Sequence, residues 1–256
     1  MAVRSVISPL NSMQQVDKIN TKANVNTEAI RGVVFDKDGT LFDFDAVWSV
    51  WCDRVIEELS DGDIAMARSI SEAIGYDMQS RSFTAGSMIV SGAANDTVRL
   101  IASMLSESDV SRVNNICVKH TAGLPLVPVK NLVDVLGKLK SAGLILGVAT
   151  NDSEASAHAQ LSDAGIDGCF EFVCGFDSGY GSKPAAGMLQ AFCNETGLAA
   201  AEIAMVGDSL HDIHAGDAAG AGLTVGVLTG PATESELSDH ADVVMADING
   251  LLPLLL

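Results

Sequence analysis

Four short segments of this chain carry residue types whose spacing can do chemistry. In the first, the apolar run Gly32-Val33-Val34-Phe35 ends abruptly in Asp36-Lys37-Asp38-Gly39-Thr40. Two carboxylates on alternate residues can divide labour, one attacking or binding a metal while the other moves protons. Lys37 lies between them, so strand alternation turns it to the opposite face, and it is assigned no catalytic part. Gly39 permits a tight turn that faces backbone N–H groups toward an anion, and Thr40 is expected to fix the orientation of Asp38. A second apolar run ends in Thr150-Asn151-Asp152, which offers a hydroxyl and a backbone N–H. The third segment is Lys183 ahead of Pro184, a compact charge with three donors. In the fourth, Asp208 and Asp212 follow another apolar run, four residues apart, so that both can face one point from the start of a helix. Acids gathered near Asp36 repel one another unless a cation intervenes. Mg2+, which prefers carboxylate, water and phosphate oxygens, suits them.

The elements that must position these groups are legible as alternation. Strands are expected at 32–36, 144–150, 170–174, 203–207 and 223–228, with a short one at 242–245. Helices are expected between them at 130–142, 153–164, 184–196 and 209–220. Strand-helix alternation predicts an α/β fold, a doubly wound parallel sheet with a Rossmann-like core, whose ligands bind beyond the carboxyl ends of the strands. Residues 45–128 break the rhythm and read as helices near 45–59, 62–75, 94–105 and 109–122, with an irregular stretch between 76 and 93. The expected organisation is a loose N-terminal extension (1–29), a catalytic core (30–44 and 129–256) and a helical cap (45–128).

Composition narrows the function. The chain has 256 residues, 48% of them hydrophobic, enough for a core with a smaller lobe. Its net charge of −18 speaks against nucleic acid and anionic membrane surfaces as partners. A phosphate-binding enzyme can still be this acidic if its site carries a divalent cation. Cys52, Cys117, Cys169, Cys174 and Cys193 are scattered and odd in number, which suggests reduced thiols. No apolar stretch is long enough for a membrane span, and residues 1–29 lack the apolar core of a secretory signal. A cytoplasmic monomer or homodimer is expected.

Acid pair, hydroxyl, lysine, acid pair, in that order from Asp36 to Asp212, resembles the four motifs of the haloacid dehalogenase superfamily in its phosphatase branch. The resemblance implies that Asp36 is a nucleophile forming an aspartyl-phosphate and that Asp38 is the general acid and base. It further implies that Thr150, Asn151 and Lys183 hold the phosphoryl group. Asp36, a backbone carbonyl of Asp38, and Asp208 would bind Mg2+, with Asp212 acting through water or as an orienting group. It makes the helical insert a mobile cap, loosely similar to that of phosphoglycolate phosphatases, and the substrate a small phosphorylated metabolite. Among the cap arginines, Arg81 is the expected partner of a substrate carboxylate, because a guanidinium binds it bidentately. Two alternatives stay open: a phosphomutase of the same fold acting on a sugar phosphate, and a non-catalytic phosphate-binding or scaffold protein.

Overall fold

The computed structural model describes residues 20–21, 26–84, 87–91, 94–105, 110–121 and 123–256. A short strand β1 (Asn20–Thr21) precedes β2 (Gly32–Phe35). The chain then leaves the sheet for an insert made of α1 (Phe44–Ser60), α2 (Ile64–Ile74), the hairpin β3 (Tyr76–Asp77) and β4 (Ser82–Phe83), α3 (Met88–Ser91), α4 (Ala94–Met104) and α5 (Val110–Thr121). Strict alternation follows: α6 (Leu132–Ser141), β5 (Ile145–Ala149), α7 (Glu154–Asp163), β6 (Phe172–Cys174), α8 (Gly187–Thr196) and β7 (Ile203–Gly207). It continues through α9 (Leu210–Ala219), β8 (Leu223–Val227), α10 (Glu234–Ser238), β9 (Val243–Met245) and α11 (Leu251–Leu255).

The sheet runs β1-β9-β8-β7-β2-β5-β6, parallel throughout except at β1. Strand β2 lies in its middle, with β7 and β5 as neighbours, and all four of its residues are buried. Side-chain alternation assigns each strand's residues to two cores. Val33, Phe35, Leu146, Val148, Ala204 and Val206 pack on one face with Leu136 and Leu139 of α6 and Leu161 of α7. Val34, Ala149, Ile203 and Met205 pack on the other with Leu189 and Phe192 of α8 and Ala215 of α9. Both faces are therefore covered, as a parallel sheet requires, and the architecture is α/β and doubly wound. The insert has a separate core in which Trp51, Val55 and Leu59 of α1 meet Ile70 and Ile74 of α2, Ile101 of α4 and Ile116 of α5.

Element ends carry their caps. Asp43 accepts from the Ala46 N–H at 2.9 Å, Asp63 from Ala65 and Met66 at 2.8 and 3.1 Å, and Ser153 from Ser156 at 3.2 Å, so α1, α2 and α7 each start on a side-chain acceptor. The short helices α3, α10 and α11 and two strand features have no counterpart in the sequence reading. The hairpin β3–β4 lies in the stretch read as irregular. Asn20–Thr21 pairs antiparallel with Val243 and Val244 inside the segment read as a loose extension. Strands of two residues are too short for periodicity to register. The rest of that extension before Asn26 lies outside the described residues.

Two glycines give opposite expectations. A Cβ on Gly147 in β5 would sit 2.7 Å from the Phe192 ring, which is fully buried and cannot yield. Gly147→Ala should therefore destabilise the fold by about 1–3 kcal/mol. Gly137 lies inside α6 with open space around its Cβ position, so Gly137→Ala should stabilise by about 0.5–1 kcal/mol. Denaturant midpoints at unchanged slope measure both.

Candidate active site

Three adjacent central strands end at the same edge, and each releases its chemistry there. Asp36 follows β2 and is held in line by its N–H, which donates to the Val206 carbonyl at 2.8 Å. Beyond it the chain doubles back: the Leu41 and Phe42 N–H groups donate to the Lys37 carbonyl, and Gly39 N–H donates to the Phe42 carbonyl at 2.7 Å. Gly39 has φ +83°, a left-handed conformation open to glycine at little cost. Thr150 and Asn151 follow β5, and Asp208 follows β7 directly after Gly207.

Asp36, Asp208 and Asp212 are all buried, and each offers a carboxylate oxygen within 4.8 Å of the others. Lys183 lies against the cluster, donating to Asp36 Oδ1 and ion-paired with Asp212 Oδ1, both at 2.6 Å. The Ser209 N–H and hydroxyl donate to Asp212 Oδ2 at 3.0 and 2.7 Å, which orients that acid from its own helix start. Burial raises Asp36 to about 6; Lys183 opposes the shift, and Asp212 and Asp38 add to it. Asp208 is pushed well above the usual carboxylate range by burial first and then by Asp36 and Asp212. Burial alone would lower Lys183, but Asp212 and Asp36 carry it above its ordinary value. One lysine thus shares two of three buried acids, and among the described side chains the Thr40 hydroxyl donates to Asp208 at 3.3 Å.

The space around Asp208 is shaped for a bare carboxylate. A Cβ on Gly39 would lie 2.3 Å from Asp208 Oδ2, and one on Gly230 would lie 1.8 Å from it. Three oxygen donors, buried and mutually repelling, fit a hard divalent cation.

Asp38 is organised from the opposite side. Its Oδ2 receives the Lys37 ammonium at 2.7 Å, and its buried Oδ1 has no hydrogen-bond partner. Lys37 is itself fully buried and also meets Asp152 Oδ2 at 3.2 Å and Gln160 Oε1 at 2.5 Å. This corrects two sequence expectations. Thr40 was assigned to Asp38, but its hydroxyl donates to Asp208. Lys37, assigned no part, is the group that anchors Asp38. Alternation places Lys37 away from the cavity, and there the residues of the next strand's loop and α7 receive it. A lysine at the end of an otherwise apolar strand was the available signal.

Asp36, Asp38, Thr150, Asn151, Lys183, Asp208 and Asp212 all line one cavity of about 180 Å³ between the sheet edge and the insert. The Asn151 side chain has a part of its own, separate from the backbone N–H expected to face the phosphoryl group. It accepts from the Lys183 N–H at 2.9 Å and donates to the Lys183 carbonyl at 3.1 Å, clamping that segment in place. Arg81 does not line the cavity. Its guanidinium pairs with Asp53 at 2.9 Å, and Asp53 also accepts from the Tyr76 hydroxyl at 2.7 Å. The left-handed turn at Arg81 (φ +55°) directs it to this cluster on α1. Ser209 and His211 complete the floor, and His211 is held below its ordinary value by burial.

Comparison with known proteins agrees with this geometry. Residues 30–220 match the family model of haloacid dehalogenase-like hydrolases. A phosphoglycolate phosphatase of Shigella boydii is 31% identical over 250 residues, covering 89% of this chain and 93% of the relative. The solved structure of a predicted phosphoglycolate phosphatase from Haemophilus somnus superposes with a TM-score of 0.69 at 21% identity, over 89% of this chain and 99% of the other. That of a candidate β-phosphoglucomutase from Thermotoga maritima gives 0.68 at 16% identity, over 89% and 100%. At those identities the two structures speak to the fold alone.

Lys37 yields a prediction. Replacing it by Met leaves Asp38 and Asp152, both partly buried, without their cation, so Lys37→Met should cost about 1–3 kcal/mol. The further change Asp152→Asn should recover part of that loss. Unfolding free energies of the single and double variants measure the coupling; a Lys37→Met protein as stable as the parent would remove Lys37 from this role.

Proposed function

The chain belongs to the haloacid dehalogenase-like hydrolases and is a phosphoric monoester hydrolase, and on that premise we propose that it uses Mg2+ to hydrolyse a small phosphomonoester through an aspartyl-phosphate on Asp36. The observation that carries the reading is the convergence of Asp36, Asp208 and Asp212 within 4.8 Å, with Lys183 against them.

The steps follow from the positions of the groups. A carboxylate oxygen of Asp36 attacks phosphorus while the bond to the leaving oxygen breaks, and Asp38 gives that oxygen its proton. Water then attacks the phosphorus of the aspartyl-phosphate, Asp38 takes the proton, and the bond to Asp36 breaks to release inorganic phosphate. Lys183 neutralises charge on the phosphoryl oxygens while restraining Asp36, and the Thr150 hydroxyl, which accepts from the Asp152 N–H at 3.1 Å, is left to donate to one of them. Asp36, Asp208 and Asp212 would hold Mg2+, Asp212 directly or through water, with the Asp38 carbonyl as a further oxygen; the ion would supply positive charge for the transferring group. Lys37 keeps Asp38 Oδ2 fixed, which leaves Oδ1 to handle the proton.

We assign residues 30–44 and 129–256 to the catalytic core and 45–128 to a cap that closes over it. Five scattered thiols, all free, support a reducing compartment such as the cytoplasm. Phosphoglycolate, the compound in the relatives' name, is the reference substrate.

Two expected outcomes test the reading. Inorganic phosphate release should require Mg2+ and stop in chelator. Asp36→Asn should abolish both turnover and covalent phosphorylation, and Asp38→Asn should slow turnover by about 10²–10⁴-fold. Stoichiometric phosphate release separates hydrolysis from a mutase. Activity that survives chelator or Asp36→Asn would overturn the proposal.

The second outcome concerns pH. The folded value of Asp36, about 6, lies above its ordinary 3.8, so the folded state favours the protonated acid. Its contribution is full below pH 3.8 and is lost as pH rises through about 6. Metal-free protein should therefore lose about 3 kcal/mol over that window from Asp36 alone, with Asp208 acting in the same direction. Thermal unfolding in chelator should show the fall, and Mg2+ should reduce it. A flat profile in chelator would contradict the assigned burial of charge.

A further inference from the structure

We infer that the organic part of the substrate is uncharged and apolar, an aryl or alkyl group carrying the phosphate; this rests on the phosphatase reading above. The cavity has two unlike halves. Its floor is the polar edge of the sheet, and its roof comes from the insert. There Phe44, Trp48 and Trp51 of α1 face it together with Ile89 of α3, Val98 of α4 and Val118 of α5. The rings form a connected wall, with centroids of Phe44 and Trp48 6.2 Å apart and of Trp48 and Trp51 5.8 Å apart. The Trp51 indole N–H is satisfied by the Cys117 carbonyl at 3.0 Å, so that ring is fixed as a surface. Such a wall favours a flat or aliphatic group through area removed from water and edge-to-face contact.

A second anionic group would find no lysine or arginine in this roof, only neutral donors such as the buried Trp48 indole N–H, which has no hydrogen-bond partner among the described residues. Among the described residues lining the cavity, Lys183 is the only lysine or arginine, and it is already engaged with Asp36 and Asp212. Cations of the insert are placed elsewhere: Arg54 reaches the Gly123 carbonyl, Arg81 pairs with Asp53, and Lys119 and His120 both meet Glu58. Residues 85–86, 92–93, 106–109 and 122 of the insert, outside the described set, include no Lys, Arg or His. A substrate carboxylate would therefore be desolvated against aromatic and aliphatic side chains, above a floor that already holds five aspartates: Asp36, Asp38, Asp152, Asp208 and Asp212. The polar groups of the roof, Thr97, Asn114 and Thr121, are neutral. They suit a hydroxyl or carbonyl on an otherwise apolar ligand.

Binding is measured by calorimetry on the Asp38→Asn protein with Mg2+, which keeps the three acids of the proposed metal site and should turn a ligand over slowly. Phenyl phosphate should bind at least tenfold more tightly than phosphoglycolate. Trp48→Ala in that background should shrink the gap, and Asn114→Arg, which places a cation in the roof, should shift the preference toward phosphoglycolate. Phosphoglycolate bound as tightly or more tightly, or neither ligand bound, would overturn the inference. Phosphate release by the parent enzyme judges the reaction separately. If phosphoglycolate is turned over with the higher kcat/KM, the apolar substrate fails and the phosphatase reading stands. If no phosphomonoester is turned over, the phosphatase reading fails, and the binding comparison still decides what the cavity accepts.

Discussion

The structure depends on a concentration of negative charge where charge is hardest to hold. Asp36, Asp208 and Asp212 meet at the carboxyl edge of a parallel sheet, buried beneath an apolar roof, with one lysine among them. Carboxylates without counter-charge in such a place become protonated or destabilise the fold. Positive charge entering such an arrangement would relieve its repulsion, and a divalent cation fits it.

Other parts of the molecule follow from that demand. The sheet brings β5, β2 and β7 side by side, so three chain segments distant in sequence end within reach of one another. Gly39 and Gly230 leave room for the Asp208 carboxylate where any Cβ would collide with it. A second buried lysine, Lys37, is bound by Asp38, Asp152 and Gln160 on the far side. It holds Asp38 apart from the cluster of Asp36, Asp208 and Asp212. The two lysines therefore divide the five aspartates into two groups, each with fewer positive than negative charges, beneath a roof without lysine or arginine among its described lining residues.

Much of this was legible in the sequence. Apolar runs that stop at acids marked the central strands, and glycines at helix ends marked the alternation, so the α/β architecture and the gathering of Asp36, Asp208, Asp212, Lys183 and Thr150 could be read in advance. What escaped was contact between distant residues. Nothing in the spacing says that Thr40 reaches Asp208, that Lys37 anchors Asp38, or that the Asn151 side chain clamps the Lys183 backbone. Arg81 seemed suited to a carboxylate by its residue type alone, but Asp53, lying one turn beyond Ser49 on α1, captures it. The two-residue strands β1 and β3–β4 carry no periodic signal at all.

The measurement that bears most directly on the account is the stability and Mg2+ affinity of Asp208→Asn, compared with the parent in chelator and in Mg2+. Removing one buried charge while keeping shape and the Thr40 contact should raise the unfolding midpoint of the metal-free protein at neutral pH and abolish its stabilisation by Mg2+. A variant less stable than the parent in chelator, or one that still binds Mg2+ with parental affinity, would show that the three acids are not the charge trap on which the site is built.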